Sequence, residues 1–307
     1  MKGNNMLVLA RKYNDIFYAM STKEWELSKE HYLLMITDCL DKANYPMEKT
    51  FNKVFTVHTK RGTYGYFKSC LEIKKIAKSL SYSYVSFSNP AMIANYCTID
   101  IKKIDYAVLL EDGLMNYYHF RPSERLSKRI LALLLGINIS KVLSSIAKTY
   151  LLKPDRAKFY IGSKEKLELK SETFIESLSL SPKIKGRRIF VGQPLYNVLE
   201  LSVEDYSDMV NKIIEEYKID FYLPHNNASN RENIRCEIFN LADSLATLEI
   251  FAVVYDFTIY SFSSSVLYTT KLINPKIKTY AVSNNKLDWV KEENIINETV
   301  DEIIKLR

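Results

Sequence analysis

The chain has 307 residues, 47% of them hydrophobic and 26% charged, and carries a formal net charge of +7. Such a composition can bury a full core and excludes a disordered chain; the length suits two medium domains or one large one. No apolar run reaches the ~18–20 residues of a membrane span. Residues 1–10 lack the charge, long apolar stretch and cleavage site of a secretory leader, so a cytoplasmic protein is expected. The four cysteines, Cys39, Cys70, Cys97 and Cys236, are far apart, without a Cys-x-x-Cys pair or clustered histidines. They read as small buried hydrophobes, not as a disulfide framework or zinc site.

The charge is uneven: residues 1–150 hold 22 Lys and Arg against 13 Asp and Glu, a net +9, and the remainder is −2. A basic N-terminal half suits an anionic partner, or else reflects a codon bias towards Lys, Ile, Asn and Tyr.

In chain order, residues 6–10 predict a strand, 14–20 a helix, 31–37 a strand and 53–57 another. Residues 64–80 carry apolar side chains at helical spacing. Residues 83–86 predict a strand, 91–96 a short helix and 106–110 a strand that ends in Glu111-Asp112-Gly113. Residues 124–151 alternate Lys and Arg with Leu and Ile, and Gly136 splits them into two helices. That stretch reads either as a basic amphipathic surface for an anionic membrane or as a helical hairpin packed on the sheet. Residues 153–182 are polar and irregular, with one strand expected at 158–161.

A second alternating series follows. It has a strand at 188–191, a Gly192-Gln193-Pro194 turn, a helix at 203–217 and a strand at 221–223 before Pro224-His225-Asn226. A short strand is expected at 238–240, a helix at 245–251 and a strand at 253–259. The serine turn Ser263-Ser264-Ser265 leads into a helix at 266–272, then a strand at 279–282 and a terminal helix at 293–306.

Strands alternating with helices argue for parallel, doubly wound sheets. Ligands of such sheets bind beyond the carboxyl ends of the strands. Glu111 and Asp112 occupy such an end, where a carboxylate can take a proton from a hydroxyl. His225 ends an apolar strand and can donate to a phosphate. Ser264 and Ser265 open a helix, where free N–H groups favour an anion. No Gly-x-Gly-x-x-Gly, P-loop or Asp-x-Asp pair is present, which disfavours dinucleotide, ATP P-loop and metal–diphosphate chemistry. His31, His58 and His119 have no comparable setting. Nothing resembles a nucleic-acid module, and the aromatic side chains are not interleaved with basic ones for stacking.

Taken together, Glu111-Asp112-Gly113 with Tyr117, then Phe190-Val191-Gly192-Gln193-Pro194-Leu195, Tyr222-Leu223-Pro224-His225 and Ser264-Ser265-Val266-Leu267, resemble the bacterial sialyltransferases of glycosyltransferase families 52 and 38. The resemblance implies a GT-B-like α/β fold: two Rossmann-like α/β/α domains facing a cleft, with a boundary near 181/182. It implies inverting, metal-independent transfer of sialic acid from a CMP-sugar donor to a bacterial surface glycan. The acceptor is expected to be lipid-linked, and the enzyme peripheral on the inner face of the cytoplasmic membrane. Homodimers occur among relatives.

By motif, Glu111 maps to the general base and Asp112 to its support, with Gly113 and Tyr117 beside them. His225, between Pro224 and Asn226, maps to the CMP phosphate contact and is a candidate catalytic acid. Ser264 and Ser265 map to the phosphate-holding serines, with Ser263 a further candidate contact in the same turn. Gly192 and Gln193 allow close backbone approach to the donor, and Glu249 is a candidate for its ribose. The pattern departs in two places: His225 is followed by Asn226 where the family has proline, and Ala10-Arg11-Lys12-Tyr13 follows the first strand instead of a Thr-Pro pair. A GT-B transferase using another nucleotide sugar is the alternative, and a polyanion-binding protein a further one.

Overall fold

The structure is a computed structural model and describes residues 4–37, 50–59, 62–118, 126–169, 180–197, 199–225, 231–239, 247–262, 264–283 and 298–306. The chain divides into two compact units, Met1–Ser177 and Leu178–Arg307.

The first unit holds strands β1 (Asn5–Ala10), β2 (Glu30–Thr37), β3 (Lys53–His58), β4 (Tyr84–Phe87), β5 (Tyr106–Leu110), β6 (Ile146–Leu151) and β7 (Ser163–Lys166). They form one sheet in the order β3-β2-β1-β4-β5-β6-β7, with every pair parallel. β1 is buried along its whole length, as expected of a central strand covered on both faces. Helices α1 (Tyr13–Met20), α2 (Lys23–Leu27), α3 (Thr63–Ser79), α4 (Ile93–Tyr96), α5 (Leu126–Leu134) and α6 (Ile139–Ser144) connect the strands. Leu7, Leu9, Leu34, Ile73, Val85, Leu109 and Ile146 meet in its core.

The second unit holds β8 (Arg188–Val191), β9 (Phe221–Leu223), β10 (Glu237–Ile238), β11 (Thr258–Ser261), β12 (Lys278–Ser283) and β13 (Glu302–Lys305). Its helices are α7 (Val203–Tyr217), α8 (Leu248–Val254) and α9 (Ser265–Ile273). The sheet order is β10-β9-β8-β11-β12-β13, again all parallel. Its core stacks Phe190, Tyr206, Val210, Ile213, Tyr222 and Phe262. Ser202 caps α7 by accepting from the Asp205 N–H, and Lys218 closes it in a left-handed turn with φ of 50°.

Four expectations are corrected. The strand expected at 253–259 is β11, which begins only at Thr258, after α8 has run on to Val254. The second helix of 124–151 ends at Ser144, and Ile146–Leu151 is β6; its β-branched and aromatic side chains fit a pleated, half-buried surface. Residues 158–161 are not a strand. Phe159 and Ile161 do pack on the core, but the Lys158 and Phe159 N–H groups both bond to the Asn116 carbonyl, each at 2.9 Å. Pairing starts only after Gly162, whose φ is +72° and where a Cβ would lie 2.1 Å from the Ala147 carbonyl oxygen. The terminal helix does not extend to 306: Glu302–Lys305 is β13, whose Glu-Ile-Ile-Lys pairs with β12. Residues 284–297 lie outside the described residues.

Candidate active site

In both sheets the strand order reverses direction beside the first strand of the unit, β1 against β4 and β8 against β11. Ligands of open α/β sheets bind at the carboxyl edge of such a reversal.

In the first unit, Val8, Ser86 and Val108 lie level across β1, β4 and β5. The residues that leave β1 and β5 therefore emerge side by side, one strand apart. Glu111 is completely buried. Its Oε2 accepts from the Tyr117 hydroxyl at 2.7 Å and from the Leu152 N–H at 2.8 Å. Tyr117 is also fully buried and accepts in turn from the Lys153 N–H at 3.2 Å. Oε1 of Glu111 is buried and has no hydrogen-bond partner among the described residues. Burial pushes the Glu111 carboxyl up to about 7, against the two hydrogen bonds and the Lys12 charge, which pull it down.

Asp112 is placed differently. Its side chain keeps 13% of its surface open, and its Oδ1 lies 3.1 Å from Lys12 Nζ. The Asp112 N–H donates to the Asn116 side chain at 2.7 Å. Gly113, with φ of +66°, then starts the 3₁₀ turn Gly113–Tyr117 that returns Tyr117 to Glu111. A left-handed φ there favours glycine. Adjacent acids thus point apart: one into the protein, one to the edge.

Asp15 also belongs to this cluster. It is buried, and its Oδ2 accepts from the Arg11 and Lys12 N–H groups at 2.8 and 3.1 Å. Its Oδ1 has no hydrogen-bond partner among the described residues. Burial raises its pKa and the Asp112 charge adds to that, while Lys12 works against both. Lys12 and Asp15 escape a motif search, because an acid at the third position of a helix reads as capping. The signal available was the Arg11-Lys12 pair directly after an all-apolar strand.

In the second unit, Val191 is level with Leu223 on one side and Ser261 on the other. The turns bearing Gly192-Gln193, Pro224-His225 and Ser264-Ser265 therefore leave one edge of the sheet. Gly192 is buried against Tyr222: a Cβ would lie 2.1 Å from its hydroxyl and 2.5 Å from the ring carbon that carries it. The Gln193 N–H donates to the Tyr206 hydroxyl at 3.0 Å, and that hydroxyl lies 3.2 Å from the Tyr222 hydroxyl. Glu232 collects the array: Oε2 accepts from Tyr222 at 2.8 Å and Oε1 from Tyr196 at 2.6 Å. Its charge also raises the pKa of His225, but desolvation is larger and holds the imidazole below its usual value. Sequence reading missed Glu232 and the three tyrosines, which are scattered in the chain and meet only through packing.

Ser264 caps α9 by accepting from the Val266 N–H at 3.3 Å. Ser265 is the first residue of that helix. Glu249, in the first turn of α8, is buried and accepts from the Thr269 hydroxyl of α9 at 3.1 Å. Asn226 and Ser263 lie outside the described residues. Among the described residues, no group of three or more His, Cys, Asp or Glu could hold a metal.

No protein-family model matches the chain, and no curated protein matches it. Among solved structures it is similar to a UDP-N-acetylglucosamine 2-epimerase from Rickettsia bellii, with a TM-score of 0.51 at 13% identity, over 91% of this chain and 78% of that one. The likeness bears on the fold alone, which is GT-B-like with two Rossmann-like units. The chain also aligns with MurG from Acinetobacter baumannii at a TM-score of 0.44 and 9% identity, over 98% of this chain and 86% of that one. Against the E. coli ADP-heptose LPS heptosyltransferase II the TM-score is 0.42 at 11% identity, over 100% and 90%. Among the described residues, no helix is long and apolar enough to cross a membrane.

Proposed function

We propose that the chain is an inverting, metal-independent glycosyltransferase that moves sialic acid from CMP-sialic acid to a hydroxyl of a bacterial surface glycan, such as lipooligosaccharide or capsule. The observation that carries this reading is the acidic pair at the carboxyl end of β5, in which Asp112 opens to the edge and Glu111 is closed behind it.

On this reading Asp112, not the buried Glu111, takes the acceptor proton. As that proton leaves, the acceptor oxygen forms its bond to the anomeric carbon. The bond from that carbon to the CMP phosphate breaks, and the electron pair leaves with CMP. Lys12 orients the Asp112 carboxylate. Glu111 is a positioning residue: its bonds to Tyr117 and Leu152 hold the turn that carries Asp112. The second unit would take the donor. A largely neutral His225 donates a hydrogen bond to the leaving phosphate, the Ser264-Ser265 helix start adds hydroxyls and N–H groups, and Glu249 takes a ribose hydroxyl. One leaving phosphate is a charge that these groups can stabilise without a cation.

The test is binding and turnover by the purified protein. CMP should raise its melting temperature, and CMP-sialic acid should be hydrolysed or transferred, equally well with and without EDTA. Stabilisation by UDP or GDP but not CMP moves the reading to another nucleotide sugar. Stabilisation by none of the three removes it.

A further inference from the structure

Helix α5 is apolar on both faces. Leu131, Ala132 and Leu135 face the core of the first unit. Leu126, Ile130, Leu133 and Leu134, at i, i+4, i+7 and i+8, share the opposite face. They are 72%, 50%, 78% and 68% exposed. Core packing explains the inner three and leaves the outer four without a role.

The helix ends in a Schellman turn: the Ile137 N–H bonds to the Ala132 carbonyl and the Gly136 N–H to the Leu133 carbonyl. Gly136, at φ +64°, and Ile137 then line a cavity of about 330 Å³. Its wall includes Lys74, Lys78, Lys102 and Lys103, with Asn138 and a single acid, Asp100. Lys74 bonds to the Leu135 carbonyl, which ties α3 to the end of α5. Lys103 lies 3.9 Å from Asp100. Lys78, Lys102 and Lys103 are exposed. The cavity lies at the amino edge of the sheet, beside the segments that enter β4, β5 and β6, and so opposite the Glu111 edge.

We propose that the outer face of α5 and this lysine-lined cavity form one docking surface for an anionic phospholipid bilayer. The leucines enter the boundary between headgroups and acyl chains, and the lysines take the phosphates. An apolar stripe that ends at a basic cavity fits a surface that is itself apolar beneath an anionic layer. A second copy fits worse. Four aliphatic side chains cover less than the about 800 Å² per partner of a stable interface. The surface is read without donor or acceptor, so it stands or falls apart from the transfer reading.

Flotation of the full chain with vesicles tests it. Wild type should float with phosphatidylglycerol–phosphatidylcholine vesicles and not with pure phosphatidylcholine, and 0.5 M salt should release it. The double change Leu133→Asp and Leu134→Asp should weaken binding by about a hundredfold. Lys102→Glu with Lys103→Glu should weaken it by at least about thirtyfold. All four positions are exposed, so melting temperatures should stay unchanged. If an acidic variant fails to fold, Leu133→Ser and Lys102→Gln read the same two terms. Failure of wild type to float, equal flotation on neutral vesicles, or wild-type binding by the variants overturns the proposal. So does saturable binding of inorganic pyrophosphate without vesicle binding, or self-association that Leu133→Asp abolishes while flotation is absent.

Discussion

Lys12 Nζ lies 3.1 Å from Asp112 Oδ1, and this contact joins the end of β1 to the end of β5 across the strand between them. It places the accessible acid under the control of a lysine 100 residues earlier in the chain. The pair is partly open to solvent, so its worth to stability is small, about 0–1 kcal/mol. Its consequence lies in orientation.

Asp112→Asn should therefore cut transfer by at least about a hundredfold, the scale of a lost general base, while CMP binding and melting temperature hold. Lys12→Met should cut it less and leave donor binding alone. Full activity in Asp112→Asn would remove Asp112 from the chemistry.

Glu111 gives a pH dependence with a definite sign. Its folded carboxyl holds a proton up to about pH 7, against a usual value of 4.5. The folded chain binds that proton more tightly, so the gain is complete below pH 4.5 and is lost as pH rises through 7. Its full size is on the order of 3 kcal/mol. Glu111→Gln cannot titrate. Melting curves from pH 5 to 8.5 should fall more steeply for wild type than for the variant; parallel curves would place the Glu111 pKa near its usual value.

Gly192→Ala would set a methyl 2.1 Å from the Tyr222 hydroxyl, inside a buried ring stack. A cost of about 1–3 kcal/mol is expected, as for overpacking elsewhere. Adding Tyr222→Phe should not fully restore stability, because the ring carbon at 2.5 Å remains. Denaturant midpoints of the single and double variants measure both effects.

Glu232 is the counter-charge of His225. Since that carboxylate raises the imidazole pKa, Glu232→Gln should lower it further, and an NMR titration of the His225 ring should move to lower pH. An unmoved titration would separate the two residues. Tyr196→Phe, which leaves the charge in place, should shift it far less.

Lys148 lies 2.8 Å from Glu24, which is completely buried. Its hydrogen bonds from Lys148 and Tyr106 outweigh burial and lower the Glu24 pKa. Lys148→Met strands that charge, and breaking one side of a buried pair costs about 3–5 kcal/mol. Lys148 is itself 26% exposed, so the lower end is expected in a chemical melt at pH 7. The loss should shrink as pH falls and Glu24 protonates.

Most of the architecture was legible because parallel strands announce themselves. Tyr106–Leu110, Arg188–Val191, Val203–Tyr217 and Phe221–Leu223 have the same bounds in sequence and structure. The three strands are short apolar runs, and the helix repeats its buried side chains, Tyr206, Val210, Ile213 and Ile214, at helical spacing. Ile146–Leu151 and Glu302–Lys305 misled because a short mixed run fits a helix as well as a strand, and only the neighbouring strand decides. At the site, the placement of Glu111-Asp112-Gly113 at a strand end could be read. Which acid faces outward could not, because that depends on Tyr117 and the Leu152 N–H closing over Glu111. The Glu232 array was hidden because its members, Tyr196, Tyr206, Tyr222 and Glu232, share no spacing.

The order of strands in the first sheet also sets a timetable. β1 leaves the ribosome before the other strands of this sheet, yet its second neighbour, β4, begins at Tyr84. At about 5–20 residues per second, six wholly buried residues wait several seconds with one side unpaired. Cells that translate residues 11–84 slowly should therefore lose more of this protein to aggregation, even though its finished sheet has the same stability.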